Sequence, residues 1–228
     1  MEKCNICEYD KLILVDFNNI VLRTDSKNKN LHDYKNYICR NCGVLNQHPQ
    51  IDEIKLSSYY NSSYRDTAYK IDLGKKTIDF PLKFEQTGIS FQRFFHFYKI
   101  INKSKIDLQN QVVLDYGSYQ GSFLYACKKV FDSITIAYDY NDEGLKFSKN
   151  YLELDEIKKT ENIYKDLFKT KPYLCSLIHV FEHLGKPNKF LKHVCDNILG
   201  DTGYIYIEVP DIYGNHFSDP THCFTYSK

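Results

Sequence analysis

Short apolar runs alternate with helical patterns through the second half of the chain. Four of these runs predict strands: Val112–Leu114, Ile134–Tyr138, Tyr173–Phe181 and Tyr204–Val209. The first and third are apolar enough to be buried on both faces of a parallel sheet. Between them apolar residues recur at helical spacing, as in segment 123–131. The alternation predicts an α/β fold with a Rossmann-like, doubly wound and mostly parallel sheet.

The first predicted strand runs into a glycine-bearing turn, V-V-L-D-Y-G-S-Y-Q-G over residues 112–121. Glycine lets the backbone approach a ligand closely, and the N-terminus of the following helix adds the positive end of its dipole. Tyr119 stands where a dinucleotide fingerprint has its middle glycine, and no Lys-Ser/Thr pair completes a P-loop. The pattern therefore predicts a nucleotide-binding unit that uses neither phosphate-binding motif.

Other segments complete the predicted order of elements. The run Glu161–Phe168 predicts a third strand, a helix is predicted from Pro81 through Ile101, and 102–107 predicts a connector. A further helix is expected to begin at Pro187 and to end at a Gly200 cap. The tyrosine-rich segment 49–80 is interpreted as a partly helical linker, or alternatively as a flap that carries an aromatic hydroxyl over the cofactor or substrate.

Two C-x-x-C pairs near the N-terminus predict a structural metal site. Four thiolates from two such knuckles suit a tetrahedral Zn²⁺, and Gly43 permits a sharp turn after the second pair. Between the pairs, Leu12–Val15 and Ile20–Leu22 predict a hairpin. Unligated thiols or a redox pair are the alternatives, although neither pair opens a thioredoxin-like unit. The predicted zinc ligands are Cys4, Cys7, Cys39 and Cys42.

Composition narrows the class of protein. A chain of 228 residues with 43% hydrophobic and 26% charged residues predicts a globular protein of one sizeable α/β domain and a small satellite. The net charge of +1 argues against phosphate-dominated binding, so a nucleic-acid partner is not expected. The sequence shows neither a membrane-spanning run nor a signal-peptide core, which predicts a cytoplasmic location. Cys127, Cys175 and Cys195 are expected to be small buried hydrophobic residues.

Three segments carry a family resemblance. Residues 112–121 resemble the first motif of class I S-adenosylmethionine-dependent methyltransferases, V-L-D-x-G-x-x-x-G. Residues 179–187 resemble the fourth-strand motif h-x-x-E-H-x-x-x-P of members that act on small molecules, and 208–211 resemble the end of the fifth strand. The matching residues are Asp115, Gly117, Gly121, Glu182, His183 and Pro187.

An acidic residue about 20 positions after the turn can hold both ribose hydroxyls of a nucleotide, which predicts this role for Asp139. The alternatives are a plain strand-end acid or a helix cap, for which Asn141 or Asp142 would also serve. The resemblance further implies that Asp166 contacts the adenine amino group and that Leu167 lies beside the ring. The residues expected to bind S-adenosylmethionine are Asp115, Gly117, Ser118, Tyr119, Gly121, Asp139, Tyr140, Asp166, Leu167 and His179.

The last segment, 219–227, resembles the H-x-x-x-x-S stretch of sugar C-methyltransferases, which also carry an N-terminal cysteine zinc module. The resemblance implies that His222 is the catalytic base, with His179 or Tyr226 orienting the acceptor. Asp219 stands where a tyrosine is expected in that family, and related O- and N-methyltransferases also carry a histidine in this loop. The alternative for His222 is a hydrogen-bonded loop residue, and the alternative for Glu182 and His183 is that they only fix their loop by mutual hydrogen bonds.

The sequence therefore predicts a zinc-binding module over 1–50, a linker and helical segment over 51–107, and an S-adenosylmethionine-binding methyltransferase domain over 108–228. The family continues past its fifth strand, so the domain is expected to be incomplete at its C-terminus. The predicted acceptor is a nucleotide-linked sugar or another surface-polysaccharide precursor. The alternatives are a zinc-knuckle RNA methyltransferase and a non-catalytic zinc-ribbon interaction protein built on a degenerate scaffold.

Overall fold

The computed structural model describes residues 2–15, 33–52, 55–56, 58, 91–160, 163–210 and 222–226. The predicted strand Ile20–Leu22, most of the tyrosine-rich segment and the start of the helix predicted from Pro81 lie outside these residues. The chain divides into two compact units. Unit 1 comprises Met1–Tyr59, His179–Lys192 and Ile207–Lys228, and unit 2 comprises Tyr60–Ile178 and His193–Tyr206. The domain boundaries expected from the sequence stay a prediction.

A five-stranded sheet and its helices confirm the predicted α/β fold class. The strand order is β6-β5-β4-β7-β8, and β4 pairs in parallel with both β5 and β7. Strand order reverses beside β4, and ligands of such sheets bind at the carboxyl ends of the strands near this point. The elements are α1 (Phe91–Lys103), β4 (Val112–Tyr116), α2 (Ser122–Phe131), β5 (Ile134–Asp139), α3 (Asp142–Tyr151), β6 (Glu156–Lys159), β7 (Leu174–Ile178), α4 (Pro187–His193) and β8 (Tyr204–Glu208).

Several predicted boundaries are wrong. The third strand is β6, which precedes the predicted run Glu161–Phe168, and Ile163–Lys165 form a 3-10 turn instead. Strand β7 ends at Ile178, because the chain turns into a second 3-10 turn over Phe181–His183. The sequence E-I-K-K of β6 is half exposed at the edge of the sheet, so it lacks the apolar run that marks a buried strand.

Two smaller expectations about α1 and α4 also fail. Helix α1 continues to Lys103, into the segment predicted as a connector. Helix α4 is followed by a π-helical turn over 194–198 that is capped at Leu199, not at Gly200. Cys195 lies in this turn and is exposed, whereas Cys127 and Cys175 are buried as predicted.

The core of unit 2 lies between α1, α2, α3 and the central strands. Sixteen buried residues form one cluster, in which Phe97 contacts Phe123 at a ring-centroid distance of 4.8 Å. Phe97 also contacts Tyr206 of β8 at 4.9 Å. The aromatic face of α1 therefore packs this helix against α2 and the sheet.

Unit 1 contains a separate four-stranded antiparallel sheet. Its order is β1-β2-β3-β9, formed by β1 (Leu12–Val15), β2 (Lys35–Cys39), β3 (Leu45–His48) and β9 (Phe224–Thr225). The predicted strand β1 is confirmed, and its partner within the described residues is β2. Strand β9 lies about 180 positions after β3 in the sequence, and it brings His222 and Tyr226 into this unit.

Among the helices that the structure describes, none combines the length and the apolarity needed to cross a bilayer.

Candidate functional site

The four predicted zinc ligands meet at one point in unit 1. The Sγ atoms of Cys4 and Cys42 lie 3.7 Å apart, and those of Cys7 and Cys39 lie 3.6 Å apart. All four sulfurs lie within 4.8 Å of one another, and all are free thiols. Tetrahedral Zn²⁺ with bonds of about 2.3 Å places its thiolates about 3.8 Å apart. The donor set therefore fits a zinc ion.

The backbone of the second knuckle supports this arrangement. Gly43 has a φ of 73°, in the left-handed region that favours glycine. Its amide donates to the carbonyl of Cys39 at 3.0 Å, and the amide of Asn41 donates to the Cys39 sulfur at 3.4 Å. The sharp turn predicted after the second C-x-x-C pair is thus present, and it aims an N–H group at a thiol.

The turn between β4 and α2 has an unusual backbone in unit 2. Gly117 and Gly121 have φ values of 79° and 73°, and Tyr119 between them adopts 46°. The amides of Gly117 and Ser118 both donate to the carbonyl of Tyr138, at 2.8 and 3.2 Å. A Cβ atom at Gly121 would lie 2.6 Å from Leu154 Cδ1, so this position accepts only glycine without a shift of its neighbours. Glycine is therefore favoured at positions 117 and 121 of the predicted motif by the backbone conformation, and at 121 also by the lack of space for a side chain.

Asp139 lies at the end of β5, where its carboxylate meets the same turn. Oδ2 accepts from the amide of Tyr119 at 2.7 Å, and Oδ1 accepts from the amide of Asn141 at 2.7 Å. Burial raises the pKa of Asp139, and these backbone donors partly offset the increase. Asn141 caps α3 by accepting from the amide of Gly144 at 2.9 Å, so the cap role falls to Asn141 rather than to Asp139.

Gly144 and Ser148 of α3 are site residues that the sequence analysis missed. A Cβ atom on Gly144 would lie 2.7 Å from the carbonyl oxygen of Tyr119, so glycine is needed for α3 to approach the turn. The hydroxyl of Ser148 donates to the same carbonyl at 3.4 Å. The available signal was an isolated glycine shortly after the candidate helix cap at Asn141 or Asp142, since a glycine within a helix often has a packing reason.

Asp115 lies inside the sheet, with only 4% of its surface exposed. Its Oδ1 accepts from the hydroxyl of Ser176 at 2.6 Å. Burial raises its pKa to about 7, while the Ser176 hydrogen bond limits the increase and the charge of Asp139 adds to it. Ser176 was not predicted, although a small polar residue in the apolar run of β7 was the signal for a buried partner.

Asp166 accepts from two hydroxyl groups after the 3-10 turn. Tyr138 donates to Oδ2, and Thr160 donates to the same oxygen at 2.7 Å. Burial opposes ionisation, but these donors and Lys158, 3.7 Å away, together lower the pKa of Asp166. The neighbouring Leu167 is 85% exposed. The hydroxyls of Tyr116 and Tyr140 lie 3.3 Å apart.

A second cluster of ionisable groups lies in unit 1. His179 follows β7 with a φ of 54°, and its ring lies between two carboxylates. His179 Nδ1 is 3.4 Å from Glu182 Oε1, and its Nε2 is 3.4 Å from Glu208 Oε1. The side chains of Glu182, His183 and His222 each place one ligand atom within 4.8 Å of the others. The predicted site residue His222 therefore lies close to Glu182 and His183, although about 40 positions separate them in the sequence.

Tyr226 contributes a buried hydroxyl to unit 1. Its ring stacks on Phe181 at 5.7 Å, and its hydroxyl has no hydrogen-bond partner among the described residues. Burial raises the pKa of Tyr226 well above its ordinary value, with the charge of Glu182 adding to the effect.

The predicted site residues thus form two groups. Those at Asp115, Gly117, Ser118, Tyr119, Gly121, Asp139, Tyr140, Asp166 and Leu167 belong to unit 2. Those at His179, His222 and Tyr226 belong to unit 1, together with the four cysteines.

Comparison with solved structures gives distant likenesses. A SAM-dependent methyltransferase from Archaeoglobus fulgidus is 24% identical, with a TM-score of 0.44 over 63% of this chain and 66% of that one. Magnesium protoporphyrin IX methyltransferase from Synechocystis, solved with bound SAH, is 14% identical, with a TM-score of 0.46 over 65% and 68%. A Clostridium acetobutylicum S-adenosylmethionine-dependent methyltransferase is 18% identical, with a TM-score of 0.45 over 57% and 55%.

Three other matched chains are spanned over only 57%, 21% and 45% of their lengths. No curated protein matches the sequence significantly.

The decisive comparison is with a family model. The model described as "Methyltransferase domain" matches residues 91–222, which is more than half of the 228 residues. The matched range contains the glycine-bearing turn, Asp139 and the Glu182–His183 pair. The chain therefore belongs to the methyltransferase domain family.

Proposed function

We propose that this protein transfers a methyl group from S-adenosylmethionine to a small molecule. Family membership supports the reaction type. The observation that carries the proposal is the Asp139 carboxylate, held at the end of β5 by the amide of Tyr119 from the glycine-bearing turn. A carboxylate fixed beside such a turn is what ribose recognition requires.

Several residues of unit 2 offer groups that suit the binding of S-adenosylmethionine, the methyl donor. A carboxylate has about four acceptor positions, and the backbone amides of Tyr119, Asn141 and Tyr140 interact with the Asp139 carboxylate. The remaining acceptor capacity is proposed to serve a ribose hydroxyl. The hydroxyl of Ser118 is buried without a hydrogen-bond partner among the described residues, so it offers a further polar contact. The exposed side chain of Leu167 offers an apolar surface for adenine.

When bound, the donor supplies a methyl group on a positively charged sulfur. The chain must hold the acceptor in line with this carbon and remove a proton from an acceptor hydroxyl or carbon acid. We assign proton removal to His222, because a neutral imidazole suits this task near neutral pH. His179 and Tyr226 are assigned to orienting the acceptor.

The proposed acceptor is a nucleotide-linked sugar or another surface-polysaccharide precursor. The support is the combination of the cysteine cluster with the segment around His222 in one unit. Sugar C-methyltransferases share this combination of motifs. The cysteines are proposed to hold a structural Zn²⁺, since a set of four thiolates leaves no open position for catalysis.

Calorimetry with S-adenosylmethionine tests the donor site. We expect Asp139→Asn to weaken binding by about 10- to 100-fold, because a hydrogen bond to a charged group contributes about 1.5–3 kcal/mol. Asp142→Asn is the matched control, since this neighbouring carboxylate is 53% exposed and pairs with Lys159. Absence of binding to folded, zinc-loaded protein would instead favour a non-catalytic interaction protein.

A screen of nucleotide sugars with labelled methyl donor tests the acceptor. His222→Ala should lower turnover by about 10²- to 10⁴-fold while leaving donor affinity intact. His96→Ala, on the exposed face of α1, is the control and should keep full turnover. Unchanged turnover in the His222 variant would remove its assignment as the base. Salt-sensitive retention on RNA, with no turnover of sugars, would favour an RNA methyltransferase.

A further inference from the structure

Glu182 is a carboxylate buried almost completely in unit 1. Only 1% of its side chain is exposed, and the groups that stabilise its charge include the ring of His179 and the backbone amide of Glu182 itself. An ionised carboxylate in such a place costs several kcal/mol unless a positive group lies beside it. The ionised form of Glu182 therefore needs a positively charged group beside it.

Three imidazole rings supply that partner. His179 Nδ1 lies 3.4 Å from Glu182 Oε1, and His183 Nε2 lies 3.8 Å from the same atom. A ring nitrogen of His222 completes the group within 4.8 Å. Burial opposes ionisation of Glu182, but the neighbouring His179, His183 and His222 outweigh it and lower the pKa of this carboxyl. In general, a carboxylate within about 4–6 Å favours the protonated form of a neighbouring imidazole.

Separate contacts hold the His222 segment against this carboxylate. The Cys223 thiol donates to the carbonyl of His183 at 3.4 Å, and the rings of His183 and His222 meet edge to face at 4.8 Å. Pairing of β9 with β3 fixes the residues that follow. His222 is itself 93% buried, so its ring has little freedom to leave the cluster.

We propose that Glu182 is a positioning residue for His222, holding its ring in place and balancing the charge that the ring gains when it accepts a proton. This inference rests on the proposed function. In the reaction the acceptor's O–H or C–H proton moves to the imidazole nitrogen, and the electron pair left behind forms the bond to the methyl carbon. The carbon–sulfur bond of the donor breaks, with its electron pair remaining on sulfur.

The groups that face Glu182 come from three segments. His179 and His183 flank it in sequence, His222 faces it from the segment before β9, and the Tyr226 hydroxyl follows β9. Glu208 faces the far side of the His179 ring, so His179 is shared between two carboxylates. A Glu182 carboxylate oxygen lies within 4.8 Å of a His222 ring nitrogen, which places this carboxylate beside the proposed base.

Glu182→Gln tests the inference by the pH dependence of turnover. A carboxylate within about 4–6 Å raises the pKa of a neighbouring base by about 1–3 units. The amide should therefore move the acid limb of kcat/KM to lower pH by at least about one unit, and lower kcat without changing donor affinity. Glu2→Gln is the matched control, because it removes a carboxylate 2.9 Å from His48 and should leave the profile unchanged.

A titration of the histidine ring signals by NMR gives a readout without turnover. The His222 signal, identified by its loss in His222→Gln, should titrate at lower pH in Glu182→Gln than in the wild-type chain. If Glu182→Gln does not fold, the titration of His222 in the wild-type chain still tests the inference. A His222 pKa below the ordinary histidine value of about 6.5 would overturn it.

The outcomes separate this inference from the proposed function. A wild-type pH profile and His222 titration in Glu182→Gln, with His222→Ala inactive, overturn the positioning role and leave the base assignment standing. Full turnover in His222→Ala removes the base assignment and this role with it. Glu182, His183 and His222 are also a possible ligand set for a divalent cation. A second bound metal per chain that is lost in Glu182→Gln would overturn the inference as well.

Discussion

The two units of this protein differ in the size of their apolar cores. Among the residues that the structure describes, the α/β unit has 16 buried residues in one apolar cluster, whereas the cluster in unit 1 comprises Val44, Ile51, Cys223 and Phe224. Unit 1 instead gathers four thiols within 4.8 Å. Small modules cannot bury enough apolar surface to fold alone, and a metal commonly replaces the missing core. The comparison indicates that the stability of unit 2 comes from packing, whereas unit 1 is proposed to depend on zinc held by its four thiolates.

Removing the metal should give the largest effect and should be confined to unit 1. Structural zinc contributes on the order of 10 kcal/mol to folding, so Cys39→Ser or a strong chelator should abolish amide protection in β1, β2 and β3. Protection in β4, β5 and β7 should persist. Hydrogen exchange with mass spectrometry measures both regions, and metal analysis reports the zinc. Cys195→Ser is the control, since this exposed thiol lies outside the cluster.

Equal loss of protection in both units would break the comparison. It would mean that the α/β unit does not stand on its own core. Retained protection in β1 to β3 after complete removal of zinc would contradict the metal-based account of unit 1.

A core truncation in unit 2 should give the next largest effect. Phe97 is fully buried against Phe123 and Tyr206, so Phe97→Ala should lower the free energy of unfolding of this unit by about 3–5 kcal/mol. Phe95 lies on the same helix but is 43% exposed, and Phe95→Ala should cost much less. Denaturant unfolding followed by exchange in β4 measures the change, while zinc content should stay constant. Loss of zinc in Phe97→Ala would contradict independent stabilisation.

Hydrophobic patterns predicted the parts of unit 2 that depend on local sequence. Strands β4 and β5 were predicted closely, because each is a mostly apolar run with an acid at or next to its last residue. The cysteine spacing similarly predicted the thiol cluster, because each C-x-x-C pair is a short local motif with the spacing of metal ligands. Strand β6 was misplaced, since an exposed edge strand with two lysines has no apolar signature.

The remaining features depend on contacts between distant residues. Pairing of β3 with β9 and the meeting of Glu182 with His222 join segments that no local pattern connects. The left-handed backbone of Tyr119 and of His179 was also beyond prediction, since non-glycine residues enter this region only when the surrounding structure requires it. Ser176 was missed because its role appears only once β7 lies beside β4.

Asp115 offers the smallest and most specific test of the packed unit. Its folded pKa is raised to about 7 from an ordinary value of 3.8, mainly by burial. Between these two values the folded chain binds more protons than the unfolded chain, so the free energy of unfolding falls as pH rises. The stabilisation is fully present below about pH 4 and is lost as pH passes through about 7.

Asp115→Asn should flatten this dependence in unit 2. Between pH 5 and pH 8 the effect is at most about 3 kcal/mol, because stability is lost over the roughly two pH units below the folded pKa of about 7, at about 1.4 kcal/mol per unit. Denaturant unfolding of unit 2 at pH 5 and pH 8, followed by exchange in β4, should show a smaller difference in the variant than in the wild type. Asp201→Asn, which changes an exposed carboxylate, should keep the wild-type dependence. An unchanged slope in Asp115→Asn would mean that this carboxyl titrates normally, and that the core of unit 2 admits more water than its packing indicates.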